Sequence, residues 1–526
     1  MKLKLLTLAC TSALILGCTS NNEPYLQSKA ISAQDTKSTY SPNAESIVNY
    51  VAPEWYQDAK IGYWVHWGVY SVPAYQGDHA AEWYGRWMYN IDDGSGNKMG
   101  PGFEKRGLKT AEHHKKTYGD PSKFGYKDFI PMWKAEKFNA DEWADLFQEG
   151  GAKFFTMMGM HHDNFALYDS DVNPWNSVDM GPKRDFVAEM KRAIKSRKMK
   201  FGVSNHSAWN GTFFNYNHVN GFDAKDPTNH GLYEQGQDAE GRVQRWWERT
   251  IELAEKYEPD LYWFDWGWHG KPFTKQDRID FVSHYYNKAI EWNKGKFGDP
   301  GVVVNYKEYK LPDGSAVLDV ERGGLKDIGR YTWQNDSSLG KRSWSYAADE
   351  EYKSANEVID LLADIVSKNG VLLLNFGPKA DGSIPKGVQK TIRDIGDWLK
   401  INGEAIYATR PYYEFGEGPT NIKEGMHGDQ VHFSGKDVRF TRSKDNKTLY
   451  ATVLGWPEEN LQIELLGREK INLENVKSVT LVGSDENLTW KQTQKAMEIN
   501  MGNKPDYSYA YPIKIVFNDT LDKVQR

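Results

Sequence analysis

Asp265 ends a short aromatic run, Leu261-Tyr262-Trp263-Phe264, and is followed at once by Trp266. A carboxylate boxed in by rings is costly to bury unless a partner or a reaction uses it. Its chemistry would be that of a nucleophile or base; the plainer alternative is a helix cap or a structural ion pair. Three histidine positions lie at comparable places, after other apolar runs: His66 after Ile61-Gly62-Tyr63-Trp64-Val65, His161-His162-Asp163 after Lys153–Met158, and His206 after Lys200–Asn205. Neutral imidazoles there would suit hydrogen bonds to sugar hydroxyls, although a single one could be an ordinary core histidine. His and Asp are also metal ligands, but neighbours at a strand end point to opposite sides and no HExxH-type spacing occurs, so no metal is expected. Glu82-Trp83 pairs an acceptor for two hydroxyls with a stacking ring. Glu321, in Leu318-Asp319-Val320-Glu321-Arg322-Gly323-Gly324, is a loop carboxylate whose plain reading is a surface ion pair with Arg322.

These residues are far apart in the chain, so a scaffold must gather them. Asn139 with Glu142 reads as a capping box, Phe138 and Trp143 as its hydrophobic staple, and Gly150-Gly151 as the stop of that helix. A strand follows, and the pattern repeats: helix 185–197, strand 200–206, helix 241–257, strand 261–265, helix 276–292, strand 301–305, helix 354–367, strand 370–376 and a helix over 386–400. Strands apolar throughout, alternating with amphipathic helices, mean an α/β fold with a covered parallel sheet. Polar residues recur at many strand ends (His66, His161, His206, Asp265, Asn305), whereas an open doubly wound sheet would gather them at one switch point. We therefore expect a (β/α)8-like barrel over residues 46–408, irregular in its later strands, where helices are hard to place. From 409 to 526 short runs with turn signals between them, including Val431-Phe433, Val438–Thr441, Thr448–Val453, Leu461–Leu465 and Ile513–Phe517, predict an antiparallel β-sandwich.

Composition narrows the chemistry. The chain has 526 residues, 14% aromatic with 20 Trp, and a formal net charge of −6, which offers no basic field for nucleic acid. Aromatic faces stack on the CH-rich side of sugar rings, although a large aromatic core would account for the composition equally well. Lys2 and Lys4, the apolar Leu5–Leu16 and then Ile15-Leu16-Gly17-Cys18 have the architecture of an export signal ending in a lipobox, with Cys18 as the lipidated residue. The expected layout is a signal over 1–18, a disordered polar linker over 19–45, and an exported, lipid-anchored protein of the periplasm or outer membrane surface. The two Cys are Cys10 and Cys18, so a Cys nucleophile, a zinc–thiolate site and an iron–sulfur cluster are all excluded. No GxSxG elbow or glycine-rich phosphate loop is present, and Gly377–Gly382 reads as a turn. Two carboxylates facing each other across a pocket of Trp and His make a glycosidase hypothesis.

The chain resembles the glycoside hydrolase family of retaining α-L-fucosidases. The stretches that carry the resemblance are WVHWGVYSVPAY (64–75), AEWYGRWM (81–88), GMHHDNFALYDSDVNPWNSVDMGPKRD (159–185), KFGVSNHSAW (200–209), PDLYWFDW (259–266), WQNDSSLGKRSWSY (333–346), NGVLLLNFGPKADGSIP (369–385) and IGDWLKINGEAIYATRP (395–411). The resemblance implies a barrel with a C-terminal sandwich, no cofactor, and exo-hydrolysis of terminal α-L-fucose from fucosylated glycans with retention. It implies that Asp265 is the nucleophile, that Trp263 contacts the sugar, and that His66, Glu82, Trp83, His161 and His162 bind fucose. Two stretches depart from the pattern. Ser204-Asn205-His206 replaces Tyr-Tyr-Ser, so His206 is expected to take over a sugar contact, and Asn305-Tyr306-Lys307 replaces Asn-Asp-Arg. Glu321 is the expected acid/base, with Glu308 in reserve, and the two catalytic carboxylates should stand about 5–5.5 Å apart. The alternatives are a surface lipoprotein that binds glycans without cleaving them and an exo-glycosidase for a related sugar such as β-D-galactose.

Overall fold

In a computed structural model of the protein, residues 39–90, 107–214 and 222–521 are described. The signal and most of the linker lie outside them. The parallel strands are β1 (Ile61–Val65), β2 (Phe154–Met160), β3 (Lys200–Asn205), β4 (Leu261–Phe264), β5 (Val303–Tyr306), β6 (Val317–Leu318), β7 (Trp333–Ser338) and β8 (Gly370–Phe376). They form one sheet in the order β6-β5-β4-β3-β2-β1-β8-β7. The ends meet through a single parallel bridge, Asp319 to Gln334, extended by Val320 N–H to the Gln334 carbonyl (2.9 Å) and Arg322 N–H to the Asp336 carbonyl (2.8 Å). The sheet is thus a nearly closed barrel whose seam is the segment carrying Glu321.

Caps open the helices, at Asn139 as expected, although Glu142 accepts from the Asn139 side-chain amide (3.0 Å) and the capping box expected there is not completed. Asn139 accepts from the N–H groups of Asp141 and Glu142 to start α1 (Ala140–Glu149). Asp185 caps α2 (Phe186–Ser196) and Asp238 caps α3 (Ala239–Tyr257). The last of these ends at Glu258 in the left-handed region (φ 39°), just before Pro259. Thr274–Asp277 and Ser354–Glu357 capping boxes open α4 (Lys275–Asn293) and α5 (Ala355–Ser367), and α6 spans Lys386–Asn402. Between β5 and β7 the chain forms no helix, which is the expected irregularity.

Two strands of the barrel are not legible from hydrophobicity. β6 is only two residues long, and β7 reads Trp-Gln-Asn-Asp-Ser-Ser, polar yet fully buried, because it faces a polar interior. The chain also packs earlier than the expected linker end at 45. Tyr40 is buried against Tyr286 and Phe297, its hydroxyl accepts from Gly298 N–H (2.9 Å), and a short helix runs over Ala44–Ile47. One aromatic anchor outweighs a polar composition there.

The C-terminal part has two antiparallel sheets. β9 (Arg410–Glu417), β10 (Val438–Arg442), β11 (Thr448–Val453), β13 (Val476–Leu481) and β16 (Tyr511–Phe517) form one, in the order β13-β16-β11-β10-β9. β12 (Leu461–Ile463), β15 (Met497–Asn500) and β14 (Thr489–Gln492) form the other. Phe440, Leu449 and Ile513 of the first share a core with Ile463, Met497 and Ile499 of the second, which makes a sandwich. The expected strand Val431-Phe433 is instead irregular chain, while β9, β13, β14 and β15 come from stretches whose alternation is too weak to read. Among the described residues no helix is long and apolar enough to cross a membrane.

Candidate active site

β4 is buried along its whole length, and Asp260 anchors its start. That carboxylate ion-pairs with Lys195 and Lys200 and accepts from Phe201 N–H (2.8 Å), tying β4 to β3. Asp265 follows as the N-cap of a one-turn helix, Trp266–His269, and its Oδ1 accepts from Trp266 N–H at 2.8 Å. Its remaining contacts are all donors or cations. His162 Nε2 lies 3.1 Å and His206 Nδ1 3.2 Å from Oδ2, and Lys307 Nζ lies 3.3 Å from Oδ1. Burial pushes the Asp265 carboxyl up, but Lys307, His162 and His206 together outweigh it and hold the group well below the usual carboxylate range. It is an ionised carboxylate in a dry, aromatic setting.

Lys307 projects from the end of β5 and is buried to the same depth. Its ammonium lies 2.5 Å from Glu321 Oε2 and 3.4 Å from Asp336 Oδ2, and sits over the Trp263 ring. Burial pulls it down, while Asp336, Glu321 and Asp265 raise it well above the ordinary lysine value. The distances of 3.3 Å and 2.5 Å from one nitrogen bound the separation of Asp265 Oδ1 and Glu321 Oε2 at 5.8 Å. Glu308, the reserve, points away: its nearest partner is His269 at 3.4 Å, and its side chain is 43% exposed. Beneath Lys307, burial pushes the carboxyls of Asp319 and Asp336 upward, and the charge of Asp319 adds to the rise at Asp336. Asp319 also accepts from Trp263 Nε1 (2.8 Å) and Gln334 Nε2 (2.9 Å), which fixes the Trp263 ring.

The three other strand ends bring the histidines. His66 sets its Nδ1 against Asn375 Oδ1 (2.9 Å), at the end of β8. Burial holds His66 and His161 well below the usual imidazole value, and His206 at about 4, so all three are uncharged. His206 Nε2 and His161 Nδ1 have no partner among the described residues. His162 Nδ1 lies 2.9 Å from the His206 carbonyl, and its Nε2 faces Asp265. Contrary to strand alternation, His161 and His162 both line the cavity. A register shift between Met158 and Met160 bulges the end of β2, and the pair sits in the turn beyond it. Asp163 turns away to accept from Tyr126 Oη (2.7 Å). His66, His161 and His206 bring one ligand atom each within 4.8 Å of one another, as do His162, His206 and Asp265. These spacings would admit a metal, and equally present a set of hydrogen-bonding groups to hydroxyls.

Glu82 comes from a 3-10 turn, Ala81–Trp83, inside the long first loop. Its Oε2 accepts from the N–H groups of Trp344 (3.1 Å) and Ser345 (3.2 Å), and its buried Oε1 has no partner among the described residues. Burial raises this carboxyl to about 7. Trp83 forms the wall against His162, and Trp64 packs on Trp263 at 4.5 Å.

Every residue expected to meet in one place does so. His66, Glu82, Trp83, His161, His162, His206, Trp263, Asp265 and Glu321 line one cleft of about 370 Å³ counted with its open mouth. Sequence reasoning missed Lys307, Asp336, Trp266 and Trp344, which line it too. Asp336 and Trp344 belong to WQNDSSLGKRSWSY, a stretch with a visible pattern, and Lys307 sits in a noted departure. Chemically, the cleft offers an ionised carboxylate, a second carboxylate close to it across a shared cation, and neutral donors and acceptors around a ring-sized space.

The comparisons with known proteins agree. Residues 27–404 match the Alpha-L-fucosidase family model, and 430–516 match the Alpha-L-fucosidase C-terminal domain. The chain is 30% identical to the tissue alpha-L-fucosidase of Mus musculus over 86% of its own length and 88% of that protein's. It is likewise 30% identical to the plasma alpha-L-fucosidase of Homo sapiens, covering 86% of each chain. The crystal structure of the Thermotoga maritima alpha-fucosidase in complex with fucose superposes with a TM-score of 0.69 at 29% identity, covering 91% of this chain and all of that one. With the match spanning the whole barrel and the sandwich behind it, this chain belongs to the alpha-L-fucosidase family.

Proposed function

We propose that the protein releases terminal α-L-fucose from fucosylated glycans by double displacement, with Asp265 as nucleophile and Glu321 as acid/base. The observation that carries this reading is the pair of carboxylates bridged by Lys307, whose facing oxygens stand no more than 5.8 Å apart, a limit that accommodates the about 5–5.5 Å of retention. An inverting enzyme would need a wider gap, with room for water between them. Asp265 attacks the anomeric carbon while Glu321 gives its proton to the departing glycosidic oxygen. Glu321 then takes a proton from water, which attacks the same carbon and expels Asp265, leaving fucose with its configuration kept. In this reading His66, His161, His206 and Glu82 hold the hydroxyls of the terminal sugar, and the Trp64 and Trp263 rings line the same cleft. A binder without activity would have no use for an ionised carboxylate paired with a second one.

The test is the anomer first released from an aryl α-L-fucoside, followed by NMR. α-L-Fucose appearing before its β anomer supports the reading, and β-L-fucose appearing first overturns it.

We also infer that the protein is exported and anchored by a lipid on Cys18. The support is the order of Lys2, Lys4, the apolar run and Leu16-Gly17-Cys18. Wild-type protein in the membrane fraction and Cys18→Ala in the soluble fraction of the same host is the expected result. Equal partition of the two would refute it.

A further inference from the structure

We propose a second binding site beside the sugar cleft, built to take an anionic substituent, a sulfate ester or a carboxylate, carried by the glycan that bears the fucose. It rests on the fucosidase reading and names a substrate class for it. The site is a neighbouring cleft, about 480 Å³ with its mouth, between the turn after β3 and the first turns of α3. The two clefts adjoin through a pair of rings: Trp266 lines the sugar site, Trp209 the new one, and their centroids are 4.9 Å apart. The chain itself passes from one to the other, since Gly267 lines the second cleft directly after Trp266.

The chemistry of the lining selects the ligand. Trp246 Nε1, Arg242 Nε and Arg249 Nε are all buried with no acceptor among the described residues. Each is a donor that cannot accept, and buried donors are seldom left without a partner. The acidic group in the lining, Glu234, is already occupied: Arg249 Nη1 lies 2.5 Å from Oε1 and Arg245 Nη2 2.8 Å from Oε2. Arg242 and Lys271 make no ion pair among the described residues, so the cleft keeps a positive excess. Gly211 makes room for Arg242, since a Cβ there would stand 2.7 Å from the Arg242 Cδ. Trp209, Trp246 and Phe273 add an apolar wall for a sugar face. Several donors, uncompensated cations and a stacking surface next to the sugar cleft match an oxyanion on an adjoining sugar, and a neutral hydroxyl would leave the charge unanswered.

The experiment compares kcat/KM of the full-length protein on three fucosylated disaccharides that differ only in the leaving sugar: neutral, bearing a sulfate ester, or bearing a carboxylate. Wild type should favour one or both charged substrates over the neutral one by about tenfold, the worth of a charged hydrogen bond. The arm that gains names the source of the charge. Arg242→Ala should bring the charged-to-neutral ratio close to one, Arg242→Glu should push it below one, and Arg242→Lys should restore part of it. Because the readout is a ratio within each variant, a general loss of folded protein cancels. A wild-type ratio of one in both arms, or a preference that survives Arg242→Glu, overturns the proposal. Failure to cleave any of the three would instead count against the fucosidase reading.

Discussion

The backbone N–H of His427 donates to the carbonyl of Glu321 at 2.9 Å. The contact joins the segment leading into the sandwich to the seam of the barrel, and it is one of several. Gly324 and Gly425 exchange both backbone hydrogen bonds, and Asp429 N–H donates to the Arg322 carbonyl. Gly323 permits the approach, since a Cβ there would stand 1.8 Å from the Gly425 carbonyl oxygen. Asp429 also pairs with buried Lys353 (2.7 Å) and accepts from Ser337 Oγ (2.5 Å) on β7. The loop carrying the proposed acid/base is therefore held from the C-terminal side. Asp429→Ala should leave Lys353 buried without its partner, at a cost of roughly 3 kcal/mol, and lower the melting temperature. It should also reduce kcat more on natural glycosides than on activated aryl fucosides, because misplacing Glu321 matters most when the leaving group needs a proton. Comparing the two substrate classes checks this, and equal losses would confine the contact to stability.

Lys307 links three carboxylates, and its removal should show in the pH profile. Lys307 is the strongest of the influences that hold the Asp265 carboxyl down against burial. Without it the acid limb of kcat/KM should move to higher pH, since more acid-side protonation of Asp265 would then inactivate the enzyme. Lys307→Met should also lower kcat by roughly 10²-fold, the scale of losing one charge-stabilising donor. Lys307→Arg should keep the acid limb near its wild-type position. An unchanged limb in Lys307→Met would show that the lysine only fills space.

How much of this was legible depends on which signal each residue carries. Asp265, His66 and His206 follow apolar strands, and a polar residue after such a run is conspicuous. Lys307 follows Val303–Tyr306 in the same way, but a lysine in a loop reads as solvent-exposed charge until the barrel closes and buries it. β7 is the reverse case. Trp333–Ser338 is wholly buried yet polar, because it faces the acidic interior beneath Lys307, and hydrophobicity cannot find a strand whose environment is made by other strands. The upward push on the buried carboxyls of Asp319 and Asp336 comes from burial inside the closed barrel, and no local pattern announces it.

Glu321 is assigned to proton transfer, and leaving-group dependence is the measure of that role. Glu321→Ala should cost roughly 10²- to 10⁴-fold on glycosides with basic leaving groups and far less on aryl fucosides with acidic ones. Added azide should rescue turnover of this variant, attacking the fucosyl-enzyme on the face that water uses and giving α-L-fucosyl azide. The same anion with Asp265→Ala should attack from the opposite face and give the β product. Product stereochemistry by NMR separates the two roles, and azide giving the same anomer with both variants would break the assignment.

Glu82 supplies a different pH signal, in KM rather than kcat. Burial raises its carboxyl to about 7, above the ordinary glutamate value. Above about 7 it is ionised, with Oε2 taken by the Trp344 and Ser345 N–H groups and Oε1 free to accept from a fucose hydroxyl. As pH falls through that value a proton occupies the free oxygen, the acceptor is lost, and KM should rise. The same raised value means the folded state binds this proton more readily than the unfolded chain, so its contribution to stability is full below the unfolded value and declines as pH rises towards 7. Binding and stability therefore respond to pH in opposite directions at this residue. Glu82→Gln, which keeps the shape but fixes the uncharged state, should show a high KM that no longer changes around pH 7 and a melting temperature less sensitive to pH between about 4.5 and 7. KM and Tm measured across that range test both, and a Gln variant whose KM still climbs on acidification would assign the titration to another group.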